Sequence, residues 1–247
     1  MSKKFANKVV VITGGSEGIG LATARLFSEE GAHVYVTARR QAQLEVAVQK
    51  IGHGAVGVQG DVADPASLDR LYKRIREEHG RIDVLFANAG ISESASLDDI
   101  DETHIDRIFN VNVKGTIFTV QKALALMSAG STIILPGSIA GSKGIPSLSI
   151  YSATKAAIRS FARTWTTDLK SRGIRVNVVS PGIILTPAMH AYFGTNTGAE
   201  ETLKNMSPFG RVGQVDEVAR AVLFLASTDS EFIAGNELFV DGGIMAV

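Results

Sequence analysis

The feature that most constrains the fold is the alternation of short, almost unbroken apolar runs with longer helical patterns. Seven runs read as strands: 9–13, 33–37, 55–59, 84–87, 132–135, 175–179 and 237–240. Six of them lack the period-two alternation of a strand with one wet face. Unbroken apolarity suits strands buried on both faces, as in a parallel sheet covered by helices. The stretches 18–30, 41–50, 65–79, 102–128, 151–171 and 215–227 carry helical patterns, and Asp64-Pro65 is a cap followed by a helix-starting proline. This alternation predicts an α/β chain, doubly wound in three layers around a seven-stranded, mostly parallel sheet.

At 247 residues the chain is long enough for one large core, and no linker or internal repeat divides it, so residues 1–247 read as a single domain. One stretch breaks the rhythm: 186–213 follows a strand, precedes the last helix and has no strand of its own, as a lid or binding loop would. Lys+Arg 25 against Asp+Glu 25 leaves no basic excess for nucleic acid or an anionic membrane. Zero cysteines exclude a disulfide framework, a thiol nucleophile and a cysteine-bound zinc, and are compatible with a reducing cytoplasm. The five histidines show no metal-ligand spacing, so no metal is expected. The run 9–12 is too short for a signal peptide, and the uncharged stretch 123–142 is broken by Gly130 and Pro136.

The first strand ends in Thr13-Gly14-Gly15-Ser16-Glu17-Gly18-Ile19-Gly20 and a helical pattern follows at once. Gly14, Gly18 and Gly20 allow a tight turn, close approach of the backbone to a pyrophosphate, and close helix–strand packing. The helix N-terminus offers free N–H groups to phosphates. This is the dinucleotide-binding (Rossmann) arrangement. An NAD site places Asp or Glu at the end of the second strand to bind the ribose 2′-hydroxyl. Here the chain reads Ala38-Arg39-Arg40, and guanidinium groups suit a 2′-phosphate. NADP(H) is therefore expected over NAD(H), with Glu17 a contrary negative charge in the glycine turn.

Tyr151 and Lys155 stand four apart, neighbours on one helical face, with Ser138 upstream. An ammonium beside a phenol stabilises the phenolate and lowers a pKa that begins near ~10. Such a tyrosine passes protons at neutral pH, while a serine alongside holds the same substrate oxygen. With four tyrosines and eleven lysines the spacing alone is weak. Its place behind a dinucleotide turn gives it weight.

Taken in order, Thr-Gly-x-x-x-Gly-x-Gly at 13–20, Asn88-Ala89-Gly90, Asn112, Ser138, Tyr-x-x-x-Lys at 151–155 and Pro181-Gly182 resemble the short-chain dehydrogenase/reductase family over essentially the whole chain. Within it, the chain most resembles bacterial NADPH-dependent alcohol dehydrogenases and carbonyl reductases. The resemblance implies that Ser138 polarises a carbonyl, Tyr151 donates the proton, and Lys155 lowers the tyrosine pKa and binds nicotinamide-ribose hydroxyls. Asn112 would hold a water that links Lys155 to solvent. Ser16, Glu17 and Ile19 would join the three glycines around the phosphates. Asp61 and Val62 would meet the adenine, and Asn88, Ala89 and Gly90 the adenosine ribose side. Pro181, Gly182, Ile184 and Thr186 would contact the nicotinamide side, although Thr186 before Pro187 also reads as a helix cap. Two positions depart from the family pattern: Ala87 replaces the first Asn of Asn-Asn-Ala-Gly, and Gly137 a common Ser.

The segment 186–213 carries Met189, Tyr192, Phe193, Met206 and Phe209, with no Lys or Arg from 187 to 203. That favours small apolar ketones, aldehydes or the matching secondary alcohols over charged substrates. A 3-oxoacyl-[acyl-carrier-protein] reductase is the alternative, with Arg172 compatible but 127–132 uncharged where a basic docking segment is usual. A non-catalytic cofactor sensor is more remote, because all four implied catalytic residues are present. Apolar residues around 102–128 and 151–171, including Phe118, Leu124, Ile158, Phe161 and Trp165, suggest a subunit interface, and the resemblance implies a homotetramer.

Overall fold

The computed structural model describes residues 3–247. A seven-stranded sheet runs in the order β3-β2-β1-β4-β5-β6-β9. Its strands are β1 Val9–Thr13, β2 His33–Ala38, β3 Val56–Gln59, β4 Ile82–Phe86, β5 Met127–Pro136, β6 Arg175–Pro181 and β9 Glu237–Val240. All six strand pairs are parallel, so the expected mostly parallel sheet is parallel throughout.

The unbroken apolar runs have their expected cause. Val9 and Val11 point into one core layer, Val10 and Ile12 into the other. Helices α3 Pro65–Glu78, α5 Thr116–Ala123 and α6 Ser149–Asp168 cover the first face; α1 Gly18–Glu29, α2 Gln41–Ile51 and α9 Val215–Ala226 cover the second. Neither face of β1 meets water, and four of its five residues are apolar.

Strand order reverses between β1 and β4, which opens a crevice at their carboxyl ends. The glycine turn leaves β1 there, and Asn88-Ala89-Gly90 leaves β4 beside it.

Three sequence expectations change. The helix expected over 102–128 is α4 Glu102–Phe109, a wider π-type turn over Asn110–Gly115, then α5. It ends early because Arg172 Nη2 donates to the carbonyls of Leu124 (2.6 Å) and Met127 (3.0 Å), and Met127 pairs with Ile82 as the start of a longer β5. The segment 186–213 also contains more structure than expected. It holds α7 Pro187–Thr195 and α8 Ala199–Asn205, and Gly213 begins β8 Gly213–Gln214, which pairs with β7 Ile184–Leu185 at its base. Lastly, Ile158 is fully buried in the chain's own core rather than offered to a neighbour, while Phe161 and Trp165 stack with ring centroids 4.9 Å apart. Among the described residues, no helix is long and apolar enough to cross a membrane.

Candidate active site

The glycine turn is shaped by contacts that only glycine permits. Gly14 and Gly18 adopt φ of 65° and 55°. A Cβ on Gly20 would lie 2.2 Å from the Gly14 carbonyl oxygen and 2.6 Å from Asn88 Nδ2. Asn88 clamps the turn by donating from Nδ2 to the carbonyls of Thr13 and Gly14, both at 3.1 Å. The Ala89 N–H donates to Thr13 Oγ1 at 3.0 Å, a second clamp that gives Thr13 a role the sequence reading missed. Ser16 and Ile19 are half-buried around the turn. Glu17 precedes α1 without capping it by its side chain; its carboxylate is 3.6 Å from Arg40 Nη2. Arg39 and Arg40 are both exposed at the end of β2.

The remaining residues singled out from the sequence lie at or just beyond the carboxyl ends of β3, β4 and β6. Asp61 Oδ1 accepts from the Ala63 N–H at 2.9 Å, so the carboxylate shapes its own turn. The Val62 side chain is buried, and a Cβ on Gly115 would lie 2.8 Å from it. That contact fixes the π-type turn against the end of β3, so Val62 is left only its backbone to offer a ligand. Gly182 passes close under Asp241, where a Cβ would come within 2.7 Å of Asp241 Cα, and Pro181 ends β6 just before it. Ile184 packs its side chain into the core below β7. Thr186 caps α7, accepting from the Met189 N–H at 3.2 Å, and lies over the glycine turn: a Cβ on Gly18 would be 3.6 Å from its Cγ2.

Ser138, Tyr151 and Lys155 converge at the carboxyl end of β5. Ser138 Oγ accepts from the Ala140 N–H at 3.1 Å, leaving its own hydrogen free to donate. The turn after it approaches α6 closely, since a Cβ on Gly141 would lie 3.0 Å from the Lys155 carbonyl carbon. Gly141 is thus a site residue that local pattern could not reveal. Lys155 Nζ is buried, donates to the Pro136 carbonyl at 2.7 Å and lies 5.4 Å from the centre of the Tyr151 ring.

Burial raises the Tyr151 pKa above its ordinary value, and the Ser138 hydroxyl facing it pulls back only in part. The Lys155 ammonium donates to the Pro136 carbonyl, and burial brings its own pKa down to about 8. At neutral pH the pair is a neutral phenol beside a charged lysine.

Asn112 sits inside the π-type turn with its amide fully engaged. Oδ1 accepts from the Ile91 N–H at 2.8 Å, while Nδ2 donates to the Ile91 carbonyl at 2.9 Å and to Thr154 Oγ1 at 3.1 Å. Thr154, which the sequence reading passed over, donates in turn to the Tyr151 carbonyl at 2.6 Å. The Asn112 main-chain carbonyl accepts from Thr116 Oγ1 at 2.8 Å. Gly90 lies beside both groups, its position for a Cβ 3.3 Å from Asn112 Oδ1 and 3.7 Å from Lys155 Nζ.

A family model described as enoyl-(acyl carrier protein) reductase matches residues 14–245. An oxidoreductase, asL5, of Sarocladium schorii is 43% identical over 99% of this chain and 98% of its own length. A solved structure described as a short chain dehydrogenase/reductase family protein superposes with a TM-score of 0.87 at 38% identity, covering 99% of this chain and all of that one. This chain is a short-chain dehydrogenase/reductase. As a member of that family it is an oxidoreductase that binds a nicotinamide cofactor. Another relative, the 3-oxoacyl-[acyl-carrier-protein] reductase of Thermotoga maritima, is 35% identical over 98% of this chain and 99% of its own.

In this dehydrogenase/reductase the segment 186–213 is half open to solvent. Met189 and Phe193 are half-buried; Tyr192, Met206 and Phe209 are exposed. Phe209 faces a cavity of about 290 Å³ shared with Ile183, Arg211, Glu217 and Asp241, which reaches neither Tyr151 nor Ser138. Arg211 grips Glu217 with two bonds, at 2.8 and 2.6 Å, and so ties the segment's far end to α9.

Proposed function

We propose that the whole chain, 1–247, works as one NADP(H)-dependent reductase of uncharged ketones and aldehydes, reversible toward secondary alcohols. The observation that carries the reading is the Tyr151 phenol facing the Ser138 hydroxyl at the carboxyl end of the sheet, with the Lys155 ammonium 5.4 Å from the ring centre; burial favours the neutral phenol. The glycine turn fits a dinucleotide: glycines at positive φ and the first N–H groups of α1 leave an open cradle for a pyrophosphate. Gly14, Ser16, Gly18, Ile19 and Gly20 would hold the phosphates, Arg39 a 2′-phosphate, and Asp61, Val62, Asn88, Ala89 and Gly90 the adenosine half. Pro181, Gly182, Ile184 and Thr186 would hold the nicotinamide half. When bound, the cofactor supplies the hydride.

The chain's own residues supply the rest. Ser138 donates its free hydrogen to the carbonyl oxygen and fixes its place. Tyr151, protonated at neutral pH, gives that oxygen its proton. Lys155 offsets the phenolate charge left behind and binds ribose hydroxyls. Alcohol oxidation needs the phenolate at the start, so it favours a higher pH than reduction does. Arg40 is drawn to Glu17, which leaves Arg39 as the freer cation for a phosphate.

The second reading, an acyl-carrier-protein substrate, is favoured by the Thermotoga maritima relative. Against it, Arg172 is bound to the carbonyls of Leu124 and Met127, and no charge stands in 127–132. A homotetramer in a reducing cytoplasm completes the proposal, resting on the partly buried apolar side chains of Phe118, Phe161 and Trp165 and on the absence of cysteine. Light scattering reads the assembly.

Initial rates with NADPH and NADH against acetophenone, ethyl acetoacetate and acetoacetyl thioesters test the reading. NADPH-dependent reduction of the simple ketones is expected, and it is lost in Tyr151→Phe with cofactor binding kept. Faster turnover with NADH would overturn the cofactor assignment; an active Phe variant would overturn the acid.

A further inference from the structure

Position 137 precedes the candidate carbonyl-holding serine and departs from the family pattern, and the packing shows why. A Cβ there would lie 2.0 Å from Ser180 Oγ and 2.5 Å from Val178 Cγ1. Ser180 is fully buried and donates to Glu237 Oε1 at 2.7 Å. The space a side chain at 137 needs is thus filled first by a hydroxyl tied to a carboxylate on β9 and next by a Val178 methyl.

The other Glu237 oxygen lies 3.7 Å from Arg159 Nη1, and that nitrogen donates to Ser142 Oγ at 2.6 Å. Arg159 follows Tyr151 and Lys155 at four-residue steps on α6, so all three share one face. Ser142 closes the short turn that begins at Ser138. The contacts therefore run in a circuit: from the strand end that carries Ser138, through β6 and β9, to the helix that carries Tyr151, and back to the Ser138 turn. Glu237 is mostly buried, with 14% of its side chain exposed, so its bonds act in a medium where they are hard to replace with water.

We infer that Ser180, Glu237 and Arg159 are positioning residues that hold Ser138 against Tyr151, and that positions 137 and 180 form a coupled pair able to admit one polar side chain between them. The inference rests on the oxidoreductase reading of the site. None of the three touches the reacting atoms in this scheme; each acts through the backbone that carries Ser138 or Tyr151.

The test is a cycle on the full-length chain: wild type, Ser180→Ala, Gly137→Ser and the double variant, with Glu237→Gln beside them. Melting temperature, NADPH affinity by fluorescence, and kcat and KM for ethyl acetoacetate are read for each. Gly137→Ser is expected to lower kcat by ~10-fold or more, or to fold poorly, and adding Ser180→Ala, which removes the nearest clash and leaves the Val178 methyl to shift, to recover at least ~3-fold of that loss. Glu237→Gln, of equal volume, is expected to lower kcat per NADPH-binding site by ~5-fold with KM and NADPH affinity nearly unchanged; counting the sites by fluorescence titration removes the contribution of unfolded protein, which would lower the total rate and the number of sites together. A double variant no better than Gly137→Ser, or a Glu237→Gln variant with wild-type kcat, overturns the inference. Should the wild type reduce no ketone, the functional reading fails separately. The melting temperatures then decide the coupling, and a double variant melting no higher than Gly137→Ser overturns it.

Discussion

Replacing Asn112 with alanine separates two accounts of this residue, one chemical and one architectural. The side chain satisfies both main-chain groups of Ile91, at 2.8 and 2.9 Å, and reaches Thr154 at 3.1 Å. Alanine leaves the Ile91 N–H and carbonyl without partners, at ~1–3 kcal/mol for each buried group. Ile91 is only half-buried, so water repairs part of the loss and the lower half of that range applies. Thr154 keeps its bond to the Tyr151 carbonyl and adds little. The sum is about 3 kcal/mol, which in a chain of this size lowers Tm by ~6–12 °C. Scanning calorimetry at one fixed protein concentration, with urea titration beside it, reads the effect. Asn112→Asp keeps an acceptor for the Ile91 N–H but loses both donors and buries a charge, so it should melt no higher than the alanine variant. An alanine variant that melts within ~2 °C of wild type yet loses turnover would refute the architectural account and return Asn112 to chemistry.

Three further outcomes follow from the geometry. Gly20→Ala places a methyl 2.2 Å from the Gly14 carbonyl, so the turn must shift and NADPH affinity should fall by ~10-fold or more; unchanged fluorescence titration would contradict the close packing. Burial holds Lys155 at about 8 against an ordinary 10.5, so below pH 8 both folded and unfolded chains carry its proton. Between those values only the unfolded chain keeps it, and stability contributed by this site rises with pH. Lys155→Met should lack that rise, and urea midpoints at pH ~7.5 and ~9.5 that move in parallel for both proteins would refute it. Glu217, held at about 2 first by the Arg211 hydrogen bonds and then by the Gln214 N–H, contributes stability above the ordinary carboxylate value of 4.5 and loses it as pH falls through 2. Glu217→Gln should flatten the acid limb of the stability curve over that window, as followed by circular dichroism; an unchanged limb would argue against the pairing.

What the sequence displayed and what it hid divide by the distance along the chain over which each feature is determined. The strands were legible because residues such as Val9–Thr13 are buried on both faces, which writes itself as unbroken apolarity. The glycine turn and Tyr151–Lys155 were legible because each is a local spacing. The π-type turn was not, because it depends on Gly115 meeting Val62 and on Asn112 meeting Ile91, residues distant in sequence. Ser180 and Glu237, 57 positions apart, gave no joint signal, and only the odd glycine at 137 hinted at them. The aim of the Lys155 ammonium at the Pro136 carbonyl was hidden too, because spacing shows that two groups are near but not which atom each one faces.

The wider turn at Asn110–Gly115 also sets a phase. Each helical residue turns the chain by about 100°, so a residue taken out of 110–115 would rotate everything after it by that angle relative to α4. Val120 and Ala123, now facing the core, would swing toward its margin, while Ile108 on the other side would stay put. The irregularity therefore works as a spacer of fixed length: beyond the side chains of Asn112 and Gly115, it is the number of residues in it that the core depends on. A deletion there misaligns half a helix, whereas a deletion in the exposed stretch between α7 and α8 only shortens a connection.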